Sequence, residues 1–353
     1  MTVEIREISL VEPGAGPYGI TAGPDGALWL TLAHAGGIAR LSPDGAVRTY
    51  PLVPAGGRPL IITAGPDGAL WFTRSGDDRI GRITVDGEQR TIALPAGTGP
   101  GGIAAGPDGA LWYAGMTSDT IGRVETDGTH SAFPLPVTGG FASMITAGAD
   151  QALWFTLNQA NAIGRIDLAG TVTVHPLPTA NAGPVGITLA GDGAIWFVEI
   201  GAGQLGRITP DGRITEFPLP DRAARPHAIV ADPDGGAWFT ELGANRIGHI
   251  DGRGRIEGHD LPTANAEPHG ITLTPEGIWA ALEIGAVAHL TPPTIPPTPP
   301  SPQPPAPSPQ PPTPSPQPPP TPARPGDPPI PQPLPRLIKR FASGSAPNMT
   351  QTS

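Results

Sequence analysis

The side chains best suited to acid–base or metal chemistry sit late in the chain. His227 and His269 stand 42 residues apart, each directly after a proline, in Arg225-Pro226-His227-Ala228-Ile229 and Glu267-Pro268-His269-Gly270-Ile271. Glu267 precedes His269 by two residues and Glu283 follows it by 14. If the chain at Glu267 is already extended, the period of two puts Glu267 and His269 on one face. A neutral histidine can take a proton near pH 7. Two carboxylates suit a hard divalent ion such as Mg²⁺, which keeps several waters and needs few protein ligands. The chain has no cysteine, which excludes thiolate nucleophiles, zinc–thiolate sites and a disulfide framework.

A repeat must position these residues. The seven tryptophans, Trp29, Trp71, Trp112, Trp154, Trp196, Trp238 and Trp279, are spaced by 42, 41, 42, 42, 42 and 41. Gly-Pro-Asp-Gly-Ala-Leu-Trp leads into the first three, and Ile-Gly-Arg-Ile or a variant follows most of them. Between Tyr18 and Leu52 the unit reads as four short strands, with Pro24-Asp25-Gly26 and Pro43-Asp44-Gly45 as tight turns. No segment holds a helical period. Seven such units predict an all-β, seven-bladed β-propeller, in which each blade buries its faces against its neighbours. Glu4 to Leu10 resembles a fourth strand and the seventh unit supplies three, so the N-terminal strand is expected to close the ring. That closure also removes two exposed sheet edges.

Registered on the residue that opens each first strand, the repeats give Tyr18, Leu60, Gly101, Ser143, Val185, His227 and His269. Innermost strands start at one mouth of the channel, so these side chains are expected to ring a funnel. His227, Glu267, His269 and Glu283 are expected to converge there, with Tyr18 next to them around the closed ring. Glu199 and Glu241, three residues past Trp196 and Trp238, are expected to reach toward the same funnel. The arginines Arg82, Arg123, Arg165 and Arg207 are expected to be structural partners between blades. His34, His130, His175, His249, His259 and His289 follow no ring pattern, and surface or local bonding is their default.

The net charge of −10 comes from a body near −13 and a tail near +3. An acidic body argues against a nucleic-acid surface. No apolar run is long enough for a membrane span, and no signal peptide is visible at the start. The expectation is a cytoplasmic protein with no membrane or nucleic-acid partner. Residues 292 to 336 hold 25 prolines in 45 positions. This divides the chain into a propeller domain, 1–291, and a disordered proline-rich tail, 292–353, with polyproline character.

The two histidine segments, together with Gly16-Pro17-Tyr18-Gly19-Ile20 and the repeated Trp-Phe-Thr and Ile-Gly-Arg-Ile text, resemble the virginiamycin B lyase family over about residues 3 to 291. The resemblance implies a monomeric propeller that linearises type B streptogramins, small cyclic depsipeptides, by elimination at the ester. It implies His269 as general base, Glu267 and Glu283 as Mg²⁺ ligands, and His227 as a substrate-binding residue at the mouth, with Tyr18 beside it. The chain departs from the family pattern at Arg74, Gly115 and Leu157, where glutamate is common, and at Gly101 and Ala142. Those changes are expected to alter the far half of the funnel. Two other readings stay open: a propeller hydrolase of lactones or esters, and a non-catalytic binding propeller.

Overall fold

The computed structural model describes residues 3–291. The segment read as a disordered proline-rich tail lies outside the described residues. The described chain forms seven four-stranded antiparallel sheets. Blade 1 runs Pro17–Ala22, Leu28–Leu32, Gly37–Leu41 and Val47–Pro51 in spatial order, and blades 2 to 6 follow over 59–93, 100–134, 142–176, 184–218 and 226–260. Blade 7 takes Pro268–Thr274, Gly277–Leu282 and Ala286–Thr291 from the end of the body. Its outer strand is the N-terminal Glu4–Ser9, paired from Glu4↔Thr291 to Ser9↔Ala286. The ring therefore closes as the sequence predicts. Among the described residues, no helix is long and apolar enough to cross a membrane.

The repeated text encodes one polar cluster per blade. Asp25, in the Pro-Asp-Gly turn, accepts hydrogen bonds from the Ala27 amide at 3.3 Å and Trp29 Nε1 at 3.1 Å, and its other oxygen accepts from Arg40 Nε at 2.7 Å. Asp67, Asp108 and Asp150 bind Trp71 and Arg82, Trp112 and Arg123, and Trp154 and Arg165 in the same way. Burial raises these aspartates, but the bonds from Trp and Arg outweigh it and hold all four below the usual carboxylate range. The repeat arginines thus pair within their own blade, not between blades as expected. Antiparallel register sets Arg40 directly opposite Trp29, so the guanidinium lies over its own indole, 5.8 Å from the ring centre. In blade 6, His249 takes the arginine's place on Asp232 at 2.7 Å.

Much of the contact between blades is apolar. Trp29 of blade 1 packs with Leu70 and Phe72 of blade 2, and Trp112 of blade 3 with Phe155 and Leu157 of blade 4. Each fully buried Phe or Leu contributes roughly 1.5–3 kcal/mol. The stability of each blade therefore comes largely from its neighbours. Within the blade, the glycine of Ile80-Gly81-Arg82-Ile83 pairs with Phe72, and a Cβ there would fall 2.2 Å from that ring.

Each inner strand breaks register between its first residue and its fourth, from Pro17/Ile20 in blade 1 to Pro268/Ile271 in blade 7. The ring residue falls inside this bulge, and bulges re-aim side chains. In four blades a threonine closes the bulge. Thr240 Oγ1 accepts from the Ala228 amide at 2.9 Å and donates to the His269 carbonyl of the next blade at 2.9 Å. Thr31, Thr73 and Thr156 make the same pair of bonds, reaching the carbonyls of Leu60, Gly101 and Val185.

Candidate functional site

The bulged ring residues surround one mouth of the channel. A cavity of about 590 Å³ opens there, lined by Tyr18, His34, Arg58, Phe141, Glu267, His269 and Glu283 among others. Below it, a narrower space of about 140 Å³ continues down the axis between the isoleucines of the inner strands. Tyr18 lines both.

His269 Nε2 lies 3.0 Å from Glu283 Oε2, and His34 Nδ1 lies 3.1 Å from Glu283 Oε1. Tyr18 joins the histidines from the other side. Its ring centre is 4.6 Å from that of His269, and its hydroxyl is 3.2 Å from His227 Nε2. The His227 and His269 rings meet edge to face at 5.3 Å. Burial, reinforced by His227 and His34, pulls His269 down to about 3. Burial also pulls His227 down to about 4. Both imidazoles are therefore neutral at pH 7. Burial raises Glu283, opposed by His34 and reinforced by Glu267. Burial likewise raises the Tyr18 phenol.

The expected convergence holds for Tyr18, Glu267, His269 and Glu283, which share the mouth cavity. His227 sits one level lower, in the narrow space, rather than at the mouth. Its Nε2 is turned onto the Tyr18 hydroxyl, which draws the ring inward. Glu199 and Glu241 do not reach the funnel. Both are buried, at 0% and 4% exposed. They pair across the sheet with Pro184 and Pro226, where Leu282 pairs with Pro268 in blade 7. Glu283 falls one residue later, at the start of the turn that follows this strand, and lines the cavity.

The departures at blades 2 to 4 behave like Glu199, not like Glu283. Arg74 is fully buried and held by Asp77 and the Pro54 carbonyl at 2.9 Å. Leu157 is core, and Gly115 is enclosed between strands. None of the three lines the mouth, so they do not shape the funnel as expected, whereas Gly101 does line it. Ala142 is buried at the start of its bulge.

His34 is the residue that the ring pattern missed. It lies on the turn after the second strand of blade 1 and meets Glu283 only because blade 7 closes onto blade 1. Arg58 and Phe141 were missed as well. Their signal is positional, because each stands two residues before a ring position, as Glu267 does.

The described residues hold no cluster of three or more His, Asp or Glu side chains set to enclose a metal. Carboxylate oxygens are donors of the kind a hard cation takes. Glu267 and Glu283 belong to one blade and line the same cavity, and the charge of Glu267 raises Glu283 further. One or two carboxylates with water suffice for Mg²⁺, so the residues present fit it.

The model of the virginiamycin B lyase family matches residues 3–290. Among solved structures, the selenomethionine-substituted virginiamycin B lyase from Staphylococcus aureus is 43% identical with a TM-score of 0.80, over 82% of this chain and 99% of that one. A catalytically inactive histidine-to-alanine variant from the same organism, determined with quinupristin, is 42% identical at the same TM-score and coverage. The virginiamycin B lyase of Saccharopolyspora erythraea is 65% identical over 49 residues, a segment that is 14% of this chain and 16% of the relative. The matched segment thus spans about a sixth of that curated relative's length. With its seven blades and its family match over nearly the whole described body, this chain belongs to the virginiamycin B lyase family.

Proposed function

We propose that the chain is a carbon–oxygen lyase that opens type B streptogramins at their ester by elimination. The observation that carries this reading is a neutral, largely buried His269 placed against Glu283 in the mouth cavity. Nδ1 of His269 is buried with no partner, so Nε2 is the nitrogen that addresses the cavity, and it serves as the base in the tautomer that carries the ring proton on Nδ1, with Nε2 released from its contact to Glu283. His269 takes the Cα proton β to the ester oxygen. The electron pair of the Cα–H bond becomes the Cα=Cβ bond, the Cβ–O bond breaks, and the acyl group leaves as a carboxylate. Tyr18 and His227 hold the ring from the channel side. Glu267 and Glu283 are the residues that would hold Mg²⁺. When bound, that ion supplies Lewis-acid stabilisation of charge on the carbonyl next to the reacting Cα.

The inactive neighbour lacks one histidine and is described with quinupristin, which supports a histidine-dependent reaction on such a ligand. The test is incubation with quinupristin and Mg²⁺ in ¹⁸O-labelled water, followed by chromatographic separation and tandem mass spectrometry, which tells a linear isomer from the ring. Elimination gives a linear, dehydrated product isobaric with the substrate and free of label. A product heavier by one labelled water would mean ester hydrolysis instead, and an unchanged substrate would leave a binding propeller.

A further inference from the structure

The residue two before each ring position is left-handed in all seven blades. Gly16, Arg58, Gly99, Phe141, Gly183, Arg225 and Glu267 have φ between +40° and +67°. Glycine adopts this conformation freely, whereas a Cβ makes it strained. Three blades use glycine and four tolerate the strain. Strained non-glycine residues persist where the surroundings over-determine them, and they concentrate at functional sites. Three of the four, Arg58, Phe141 and Glu267, line the mouth cavity; Arg225 does not.

The backbone at Arg58 and Phe141 is clamped while the side chains stay available. The Arg58 carbonyl accepts from the Ser75 amide and hydroxyl, both at 3.2 Å. The Phe141 carbonyl accepts from the Asn158 amide at 3.1 Å and from Ser143 Oγ at 3.3 Å. Among the described lining residues, Arg58 is the one arginine or lysine. It belongs to blade 2, next to Tyr18 of blade 1, and its charge opposes the burial that raises the Tyr18 phenol. Phe141 faces the cavity with Met116 and Met144, which makes that wall apolar.

Resting on the reading of this cavity as a peptide-opening site, we infer that Arg58 and Phe141 select the substrate. Arg58 donates to carbonyl oxygens on one face of a cyclic peptide. Phe141 packs against an aromatic or large apolar side chain on the opposite face. They stand just before the inner strands of blades 2 and 4, apart from the blade 7 residues that carry the chemistry, so they set affinity and substrate range rather than the reaction.

The experiment measures quinupristin binding by calorimetry in a His269→Ala background, where binding is read without turnover. Arg58→Gly and Phe141→Gly are each expected to weaken binding about tenfold or more, with Tm unchanged or raised because strain is relieved. Arg58→Lys should recover much of the loss. Arg225→Gly, at the same backbone position outside the cavity, should change binding less than about twofold. Unchanged affinity in both cavity variants overturns the inference, as does a fall in Tm with affinity retained. Failure of the His269→Ala parent to bind quinupristin also overturns it. A wild-type protein that binds quinupristin but leaves it closed would sink the lyase reading and leave this inference standing.

Discussion

His269 and Glu283 belong to blade 7, and their side chains meet at 3.0 Å in the mouth cavity. His269 is 12% exposed and Glu283 24%. The pairing puts a neutral imidazole beside a carboxyl group that burial has raised. If His269 is the proton acceptor, His269→Ala removes it without emptying a core position. Ring opening should fall by roughly 10²- to 10⁴-fold or more, while Tm moves little. Turnover near the wild-type rate in this variant would refute the base assignment.

Glu267 and Glu283 differ in what else they do, and this separates their variants. Glu283 also bonds His34 and His269, whereas Glu267 is exposed at the rim. Glu267→Gln should raise the Mg²⁺ concentration needed for activity and leave Tm unchanged. Glu283→Gln should do the same and in addition alter kcat at saturating Mg²⁺. Electron paramagnetic resonance titration with Mn²⁺ reads the site directly, and each variant should bind the ion more weakly than wild type. Equal Mn²⁺ affinity in all three proteins would remove both carboxylates from the ligand set.

The fold was legible because its signals are local. A tryptophan period near 42 and a Pro-Asp-Gly turn in most units specify strands and turns without knowledge of the ring. The site was legible as far as the ring series reached, which placed Tyr18 and His269 at one mouth; Glu267 lines it too, but through a left-handed backbone at φ +47° and not through the extended chain that period-two alternation assumed. Two things were not local. His34 meets Glu283 only through ring closure, which joins residues 249 positions apart. Glu199 and Glu241 lie three residues past their tryptophans and Glu283 four; the spacing shows that shift of one, but not which of the two positions faces the cavity. The left-handed rim was partly visible as Gly16, Gly99 and Gly183 recurring at one position. It took the backbone angles to show that Arg58, Phe141 and Glu267 share it.

Thr240 ties the site to the scaffold. It is fully buried, and its hydroxyl spans from the Ala228 amide to the His269 carbonyl. Thr240→Val keeps the shape but leaves that amide and carbonyl without their partner. An unsatisfied buried group costs about 1–3 kcal/mol, so Tm should drop by a few degrees. Because the carbonyl belongs to His269, kcat should fall as well. Thr73→Val, whose carbonyl partner is Gly101, should lower Tm comparably with kcat retained. Matching kcat in the two variants would show that the bond supports the ring without positioning the base.

Glu199 and Glu241 give the fold a pH dependence of defined sign. Burial pushes both carboxyls up to about 7 from an ordinary value of 4.5. The folded chain then holds their protons more tightly than the unfolded chain. Stability from these groups is present below about pH 4.5, falls as pH rises to about 7, and is level above that. His227 and His269, pulled down to about 4 and 3, act in the opposite direction over part of this range. The comparison must therefore be between variant and wild type. Glu241→Gln cannot ionise, so it should be close to neutral at pH 5 and stabilising at pH 7.5. The gain is about 1.4 kcal/mol for each tenfold by which the folded carboxyl binds its proton more tightly than the unfolded one. Glu199→Gln should follow the same course, since its amide oxygen can still accept from Gln204 Nε2, now at 2.6 Å from the carboxylate. The measurement is the Tm difference from wild type at the two pH values. A difference that does not change between pH 5 and 7.5 would mean that these carboxyls ionise in the folded protein as they do in water.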